Sequence, residues 1–83
     1  MTPTKIKMML DNIGVDAQLE HYIIKIRIND QDIVIENYTY GEFFLNYQTN
    51  CIEFDDFDCK PDRLTFIKDK KIIKNIRINK WTI

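Results

Sequence analysis

The stretch Tyr22–Ile28, which reads Tyr-Ile-Ile-Lys-Ile-Arg-Ile, decides how the rest of the chain is expected to fold. Side chains two apart in a β-strand point to the same side, so every second residue from Tyr22 to Ile28 would line one apolar face. The opposite face carries Lys25 and Arg27. β-Branched side chains favour such a half-buried, pleated surface. The sequence therefore predicts that residues 22–28 form the central strand of a sheet.

The composition is that of one small globular domain spanning residues 1–83. Hydrophobic residues make up 45% of the chain and the net charge is −1, a composition that argues against an intrinsically disordered protein. The high content of Ile, Lys and Asn indicates an AT-rich coding genome, as in low-GC bacteria and their phages.

The compartment is predicted from what the sequence lacks. It contains no apolar run long enough to span a bilayer and no signal-peptide pattern at its start, so a cytoplasmic protein is expected, in the host cytoplasm if a phage encodes it. Cys51 and Cys59 are then expected to be free thiols. A disulfide between them remains the alternative, provided that their Cα atoms approach within about 7 Å.

A helix is predicted over residues 2–14, at the start of the chain. Thr2 is suited to cap it, Pro3 to occupy its first position and Gly14 to follow its end. Apolar residues recur at the helical spacing i, i+3, i+4, i+7 and form one stripe: Ile6, Met9, Leu10 and Ile13.

Two antiparallel hairpins are predicted to pair with or follow the central strand. The first joins residues 19–29 to residues 32–38, and the second joins residues 63–68 to residues 72–83 across a turn at Asp69 and Lys70. Between them, a short strand over 51–54 is expected to be broken by the acidic residues 55–58. Asn75 interrupts the Ile-rich pattern of the last strand, which predicts a β-bulge there.

Residues 39–50 fit two structures. Aromatic residues recur at helical spacing, with Thr39 and Glu42 placed as a capping box, which favours a short helix over 40–48. Gly41 and the aromatic residues themselves are poor helix formers, so an irregular strand is the alternative. The predicted fold class is α+β: an N-terminal helix packed on a small, mainly antiparallel sheet of about five strands, built from two hairpins.

Charge is segregated along the chain, and this is the strongest functional signal. Residues 29–59 carry eight carboxylates and no Lys or Arg, whereas residues 60–83 carry eight Lys and Arg against two Asp. One interpretation is that the two segments neutralise each other across strands, at about 0.2–1 kcal/mol per pair. The other is that they occupy separate faces, each of which steers a partner of opposite charge.

The second interpretation predicts a protein partner at an acidic, aromatic-containing face, because carboxylates steer a basic partner and aromatic side chains anchor it. Such a face would also fit a nucleic-acid-binding cleft, where it places negative charge at the phosphate positions. Its predicted carboxylates are Glu42, Glu53, Asp55, Asp56 and Asp58, and its predicted aromatic residues are Tyr40, Phe44 and Phe57.

Two alternatives come from other features. A nucleic-acid-binding face on the C-terminal hairpin would use Lys68, Lys70, Lys71, Lys74, Arg77 and Lys80, with Trp81 either stacking on a base or covering the core. The isoelectric point near 5.7 argues against it. The third hypothesis is an assembly subunit of a phage particle that joins copies through exposed strand edges.

Catalytic and metal chemistry is not indicated. The acidic run 53–58 lacks the glycine and the distal glutamate of a calcium loop. The single histidine, His21, and two cysteines cannot complete a common zinc site. We therefore expect no enzyme activity, no metal and no cofactor, and no membrane partner.

In size and composition the chain is similar to small, acidic-patched proteins of phages and mobile elements that bind and block a host protein, the anti-CRISPR proteins among them. This similarity transfers no site residues. It favours a non-catalytic protein-binding module that acts as an inhibitor of a host nucleic-acid-binding protein.

Overall fold

One N-terminal helix and eight antiparallel strands form the part of the chain, residues 1–38 and 41–79, that the computed structural model describes. The elements are α1 (Pro3–Asn12), β1 (Asp16–Glu20), β2 (Ile23–Ile28), β3 (Gln31–Asn37), β4 (Phe43–Tyr47), β5 (Asn50–Phe54), β6 (Asp56–Lys60), β7 (Arg63–Lys68) and β8 (Lys71–Arg77). They build a five-stranded sheet of order β1-β2-β3-β4-β5 and a three-stranded sheet of order β6-β7-β8. The protein is therefore mostly β, which corrects the prediction of a helix on one sheet of about five strands.

The N-terminal helix forms where it is predicted, because its signals are local. The hydroxyl oxygen of Thr2 accepts a hydrogen bond from the backbone N–H of Lys5 at 3.2 Å, and a proline occupies the first turn. Ile6 and Leu10 are completely buried against the sheets. Gly14 follows the helix with a φ of 80°, a left-handed conformation that favours glycine.

The predicted central strand is an inner strand of the larger sheet, paired with β1 on one side and β3 on the other. Its alternate isoleucines, from Ile24 to Ile28, are buried as predicted. Tyr22 is an exception, since it lies in the turn between β1 and β2 and is 54% exposed. The chain reverses there because His21 adopts a φ of 55°, so the predicted single strand over 19–29 is two strands.

The predicted helix over 40–48 is wrong, because residues Phe43–Tyr47 form β4. Phe43 and Leu45 are buried while Phe44 is half-buried on the other side of the sheet, which is the period of a strand. The same aromatic residues satisfy helical spacing, but pairing with both β3 and β5 decides their conformation. Thr39 and Tyr40 lie outside the described residues.

The acidic run 55–58 was predicted to break the strand before it. Instead it supplies most of the next strand, β6. Its residues alternate, with Asp56 and Asp58 exposed and Phe57 only 5% exposed between them. Asp55 alone separates β5 from β6, and at this residue the chain passes from one sheet to the other.

A β-bulge is present in the last hairpin, but not at Asn75. The pairing of β7 with β8 shifts between Phe66 and Ile67, which leaves Ile73 as the extra residue. Asn75 instead pairs with Thr65, whose hydroxyl donates to the Asn75 side-chain oxygen at 2.7 Å. The predicted strand over 72–83 is shorter, because β8 ends at Arg77, and residues 80–83, Trp81 included, lie outside the described chain.

An aromatic cluster joins the two sheets. The Phe66 ring lies 5.0 Å from that of Phe54 and 5.2 Å from that of Phe57, measured between centroids. These rings come from β5, β6 and β7, so they fasten the smaller sheet to the larger one. No helix in the described ranges has the length and apolar character needed to cross a bilayer.

Candidate functional site

The outer face of the five-stranded sheet carries a row of residues in which acidic and apolar side chains alternate. Directly paired residues of adjacent strands lie on the same face, so the strand register defines the row. Each strand contributes one member, and the members in order are Glu20, Ile23, Glu36, Phe44 and Glu53. Three carboxylates therefore lie in one line across the sheet, separated by two hydrophobic side chains.

Tyr38 extends this row with a second aromatic ring. Its ring centroid lies 4.9 Å from that of Phe44, and its hydroxyl donates to a Glu36 carboxylate oxygen at 3.0 Å. The other Glu36 oxygen accepts from the Asn46 side-chain amide at 2.6 Å. The hydrogen bond to Glu36, and then the negative charge of that carboxylate, raise the pKa of the Tyr38 hydroxyl. Glu36 and the Tyr38–Phe44 pair are thus held together as one unit.

A cleft of about 270 Å³ lies beside Glu53, where β4 begins and β5 ends. Glu42, Glu53 and Asp55 all line it. The Lys68 ammonium lies 3.0 Å from a Glu53 carboxylate oxygen, and this hydrogen bond raises the pKa of Lys68. Asp55 accepts a hydrogen bond from the backbone N–H of Asp69 at 3.1 Å. We name the following residues the acidic-aromatic surface: Glu36, Tyr38, Glu42, Phe44, Glu53 and Asp55.

The predicted acidic set does not lie on one face. Asp56 and Asp58 lie on the outer face of the three-stranded sheet, where each accepts a hydrogen bond from the backbone N–H of the following residue. Phe57 is buried in the aromatic cluster, so its predicted place on a binding surface is wrong. Tyr40 lies outside the described residues.

The predicted basic set is also divided. Lys68 is paired with Glu53, and the Lys74 ammonium lies 5.1 Å from the Tyr47 ring centroid on the inner side of the small sheet. Both Lys70 and Lys71 are exposed: Lys70 lies in the tight turn between β7 and β8, and Lys71 is the first residue of β8. Arg77 lies at the opposite end of β8, and Lys80 lies outside the described chain. The five members that the structure describes do not form one continuous cationic face.

Sequence reasoning missed Glu20, Ile23 and Glu36 as members of the site. Glu20 and Glu53 are far apart in the chain and come into line only through four successive strand pairings. The alternation of Ile23 with buried isoleucines was a visible signal that it faces outward, but the register that places it beside Glu36 was not visible.

The thiols and acidic groups are not arranged as a set of metal ligands. Within residues 1–38 and 41–79 no three His, Cys, Asp or Glu side chains are grouped so that they could hold a metal ion. Cys51 is exposed on the outer face of β5, whereas the Cys59 thiol donates to the Met9 carbonyl at 3.7 Å beside the helix. The two thiols are therefore not bonded to each other. The acidic-aromatic surface presents carboxylates and aromatic rings.

Comparison with protein-family models, with curated proteins and with solved structures finds no match to this chain.

Proposed function

We propose that this protein is a non-catalytic protein-binding module whose acidic-aromatic surface takes a basic protein partner. The observation that supports this most strongly is the cross-strand row from Glu20 to Glu53, with the Tyr38 and Phe44 rings packed at a tilt and their centroids 4.9 Å apart. Aromatic side chains on rigid strands lose little conformational freedom on binding, and carboxylates around them attract and orient a cationic partner.

The charges of this surface are only partly compensated within the fold. Glu53 is paired with Lys68, and Glu20, which ends the cross-strand row outside the named surface, lies 3.5 Å from the Lys25 ammonium. Glu36, Glu42 and Asp55 have no Lys or Arg within 4.0 Å among the described residues. A partner with positive charge would supply the missing counter-charges, which favours association with a basic surface over an acidic one.

The specific form of the proposal is an inhibitor, encoded by a phage or mobile element, of a host nucleic-acid-binding protein. A cleft that binds nucleic acid is basic because it must neutralise phosphates. Carboxylates held in a row on a sheet can occupy the phosphate positions in such a cleft. This mode of action, shared in general character with anti-CRISPR proteins, needs no catalytic group in the inhibitor.

The test compares two variants with the same change in charge. Glu42→Lys with Phe44→Ala alters the acidic-aromatic surface without touching the Glu53–Lys68 pair, and Asp58→Lys is the matched control on the other sheet. Immobilised protein is exposed to a low-GC bacterial lysate with and without added DNA. We expect a captured protein whose binding falls about tenfold or more in the first variant, about 1.4 kcal/mol, and is unchanged in the control.

Added DNA should displace the captured protein, because the DNA and the immobilised module would compete for the basic cleft of that protein. Equal capture by the Glu42→Lys, Phe44→Ala variant would contradict the proposed binding surface. Capture that depends on this surface but resists DNA would retain the binding module and reject the inhibitor.

A further inference from the structure

The outer face of the three-stranded sheet carries a row of three basic residues. Lys60 of β6 pairs directly with Arg63 of β7, and Arg63 pairs directly with Arg77 of β8. All three side chains are exposed. Neighbouring strands lie about 4.8 Å apart, so the three Cα positions span about 10 Å across the sheet. We name these three residues the cationic row.

The fold does not neutralise the cationic row. Among the described residues, no carboxylate lies within 4.0 Å of any of its three charged groups. The Asp58 carboxylate, in the next cross-strand row, accepts from the Cys59 N–H at 2.9 Å. Like charges placed directly opposite each other on adjacent strands are destabilising. The row is therefore an electrostatic cost to the folded protein that an external anion would remove.

The backbone of the row is fixed before any ligand arrives. The carbonyl oxygen of Arg77 accepts a hydrogen bond from the Asn29 side-chain amide at 2.6 Å. The N–H of Ile78 donates to the carbonyl of Asp62, in the turn between Lys60 and Arg63, at 2.8 Å. The backbone that carries the row is therefore already ordered, and a ligand does not have to order it on binding.

We propose that the cationic row binds the phosphate backbone of a nucleic acid. Arginine guanidinium groups contact phosphate oxygens through two parallel hydrogen bonds, and two of the three residues are arginines. The adjacent row, made of Asp58, Thr65 and Asn75, offers no aromatic or aliphatic anchor of the kind that protein interfaces use. Phosphate recognition without such anchors is independent of base sequence.

This surface differs from the basic face predicted over 68–80, with which it shares only Arg77. It also lies on a different sheet from the acidic-aromatic surface, so it can be tested and rejected independently of the proposed function.

Fluorescence anisotropy with a labelled single strand of about 16 nucleotides is the direct test. Three phosphate contacts predict that log K falls against log salt with a slope of about −2 between about 25 and 200 mM salt. Arg63→Gln with Arg77→Gln should weaken binding at low salt by at least about tenfold and reduce the slope to about −0.7. The matched control, Lys70→Gln with Lys71→Gln, removes the same charge and should change the affinity by less than about twofold.

Two further measurements distinguish phosphate binding from unfolding and from a loss of charge. Removing like charges should leave the Arg63→Gln, Arg77→Gln variant with a melting temperature equal to or above that of the parent, so lost binding would not reflect unfolding. Arg63→Lys with Arg77→Lys keeps the charge and should keep the salt slope. The proposal is overturned if no binding occurs at about 25 mM salt, if both Gln variants lose affinity equally, or if polyglutamate of equal charge displaces the strand as well as unlabelled DNA does.

Discussion

The side chain of Asn29 holds the backbone of Arg77, because its amide nitrogen donates to the Arg77 carbonyl oxygen at 2.6 Å. The amide oxygen of the same side chain accepts from the backbone N–H of Asn79 at 2.8 Å. The Asn29 side chain thus bonds to a backbone carbonyl and a backbone N–H two residues apart, at the end of β8 and just after it. Asn29 lies in the turn between β2 and β3, so this contact joins the edge of the small sheet to a turn of the large one.

Replacing Asn29 by glycine should weaken the fold through this contact alone. Glycine tolerates the φ of 54° that Asn29 adopts, so the turn is kept while both hydrogen bonds are lost. We expect the free energy of unfolding to fall by about 1–2 kcal/mol in urea denaturation. Asn29→Asp keeps the acceptor but places a carboxylate oxygen opposite the Arg77 carbonyl oxygen, and should cost at least as much as the glycine variant. A glycine variant as stable as the parent would show that the contact adds nothing.

Replacing Asp30 by glycine should stabilise the protein. Asn29 and Asp30 both have positive φ, and Asn-Gly is the sequence that such two-residue turns prefer. We expect a gain of about 0.5–1 kcal/mol, measured by thermal and urea unfolding. Asp62→Gly is the control, since Asp62 is not among the residues with positive φ, and there glycine should cost stability through the unfolded chain. A gain at both positions would point to a cause other than turn geometry.

The Tyr38 hydroxyl should lose its proton at a higher pH than an ordinary tyrosine. Its hydrogen bond to Glu36 raises its pKa above the usual 10.0, because the neutral phenol donates while the phenolate would face a carboxylate. A raised pKa in the folded state means that this contact stabilises the fold below about pH 10 and that the contribution is lost as pH rises through the raised value. Absorbance is titrated against pH for the parent and for Tyr38→Phe, and the difference between the two curves gives the titration of the Tyr38 hydroxyl.

Glu36→Gln provides the control for that titration. Glutamine can still accept a hydrogen bond but carries no charge, so the Tyr38 transition should move down towards the usual value. If the transition stayed where it is in the parent, the carboxylate would not be the cause of the shift.

Truncation of two phenylalanines of the chain should lower the stability by very different amounts. Phe66 is completely buried in the aromatic cluster, so Phe66→Ala should cost about 3–5 kcal/mol, a large part of the stability of a domain this small. Phe44 is half-buried on the outer face, so Phe44→Ala should cost no more than about 1.5 kcal/mol and leave the protein folded. Circular dichroism during thermal unfolding measures both, and an equal loss would place Phe44 in the core.

Local signals explain what could be predicted from the sequence. The helix follows from Thr2, Pro3 and a stripe of side chains within one turn of each other, and the turn at Asp69 and Lys70 follows from two adjacent residues. For β4 the strand was only the alternative to the predicted helix, because Phe43 and Tyr47 satisfy both helical and strand spacing. Pairing with β3 and β5, the strands directly before and after it in the chain, selects the strand.

The binding surfaces depend still more on pairings that the sequence does not display. Lys60 and Arg77 come into one row through two strand registers, and the bulge at Ile73 shifts which residues of β8 face outward. Lys68 and Lys74 belong to the same basic segment, yet the fold directs one to Glu53 and the other over Tyr47. The charge segregation along the chain was open to two interpretations, and the acidic face predicted from it is divided: Glu42, Glu53 and Asp55 line one cleft, whereas Asp56 and Asp58 lie on the other sheet.

The single-residue passage at Asp55 has a consequence for synthesis on the ribosome. Strands β1 to β5 pair only with their neighbours in the chain, so each hairpin can close as soon as its second strand emerges. Phe54 is not fully buried until Phe66, which is translated later, packs against it. During that interval the nascent chain has a complete five-stranded sheet with an exposed apolar face. The rate at which β6 and β7 are translated sets how long this face can bind chaperones or associate with other chains.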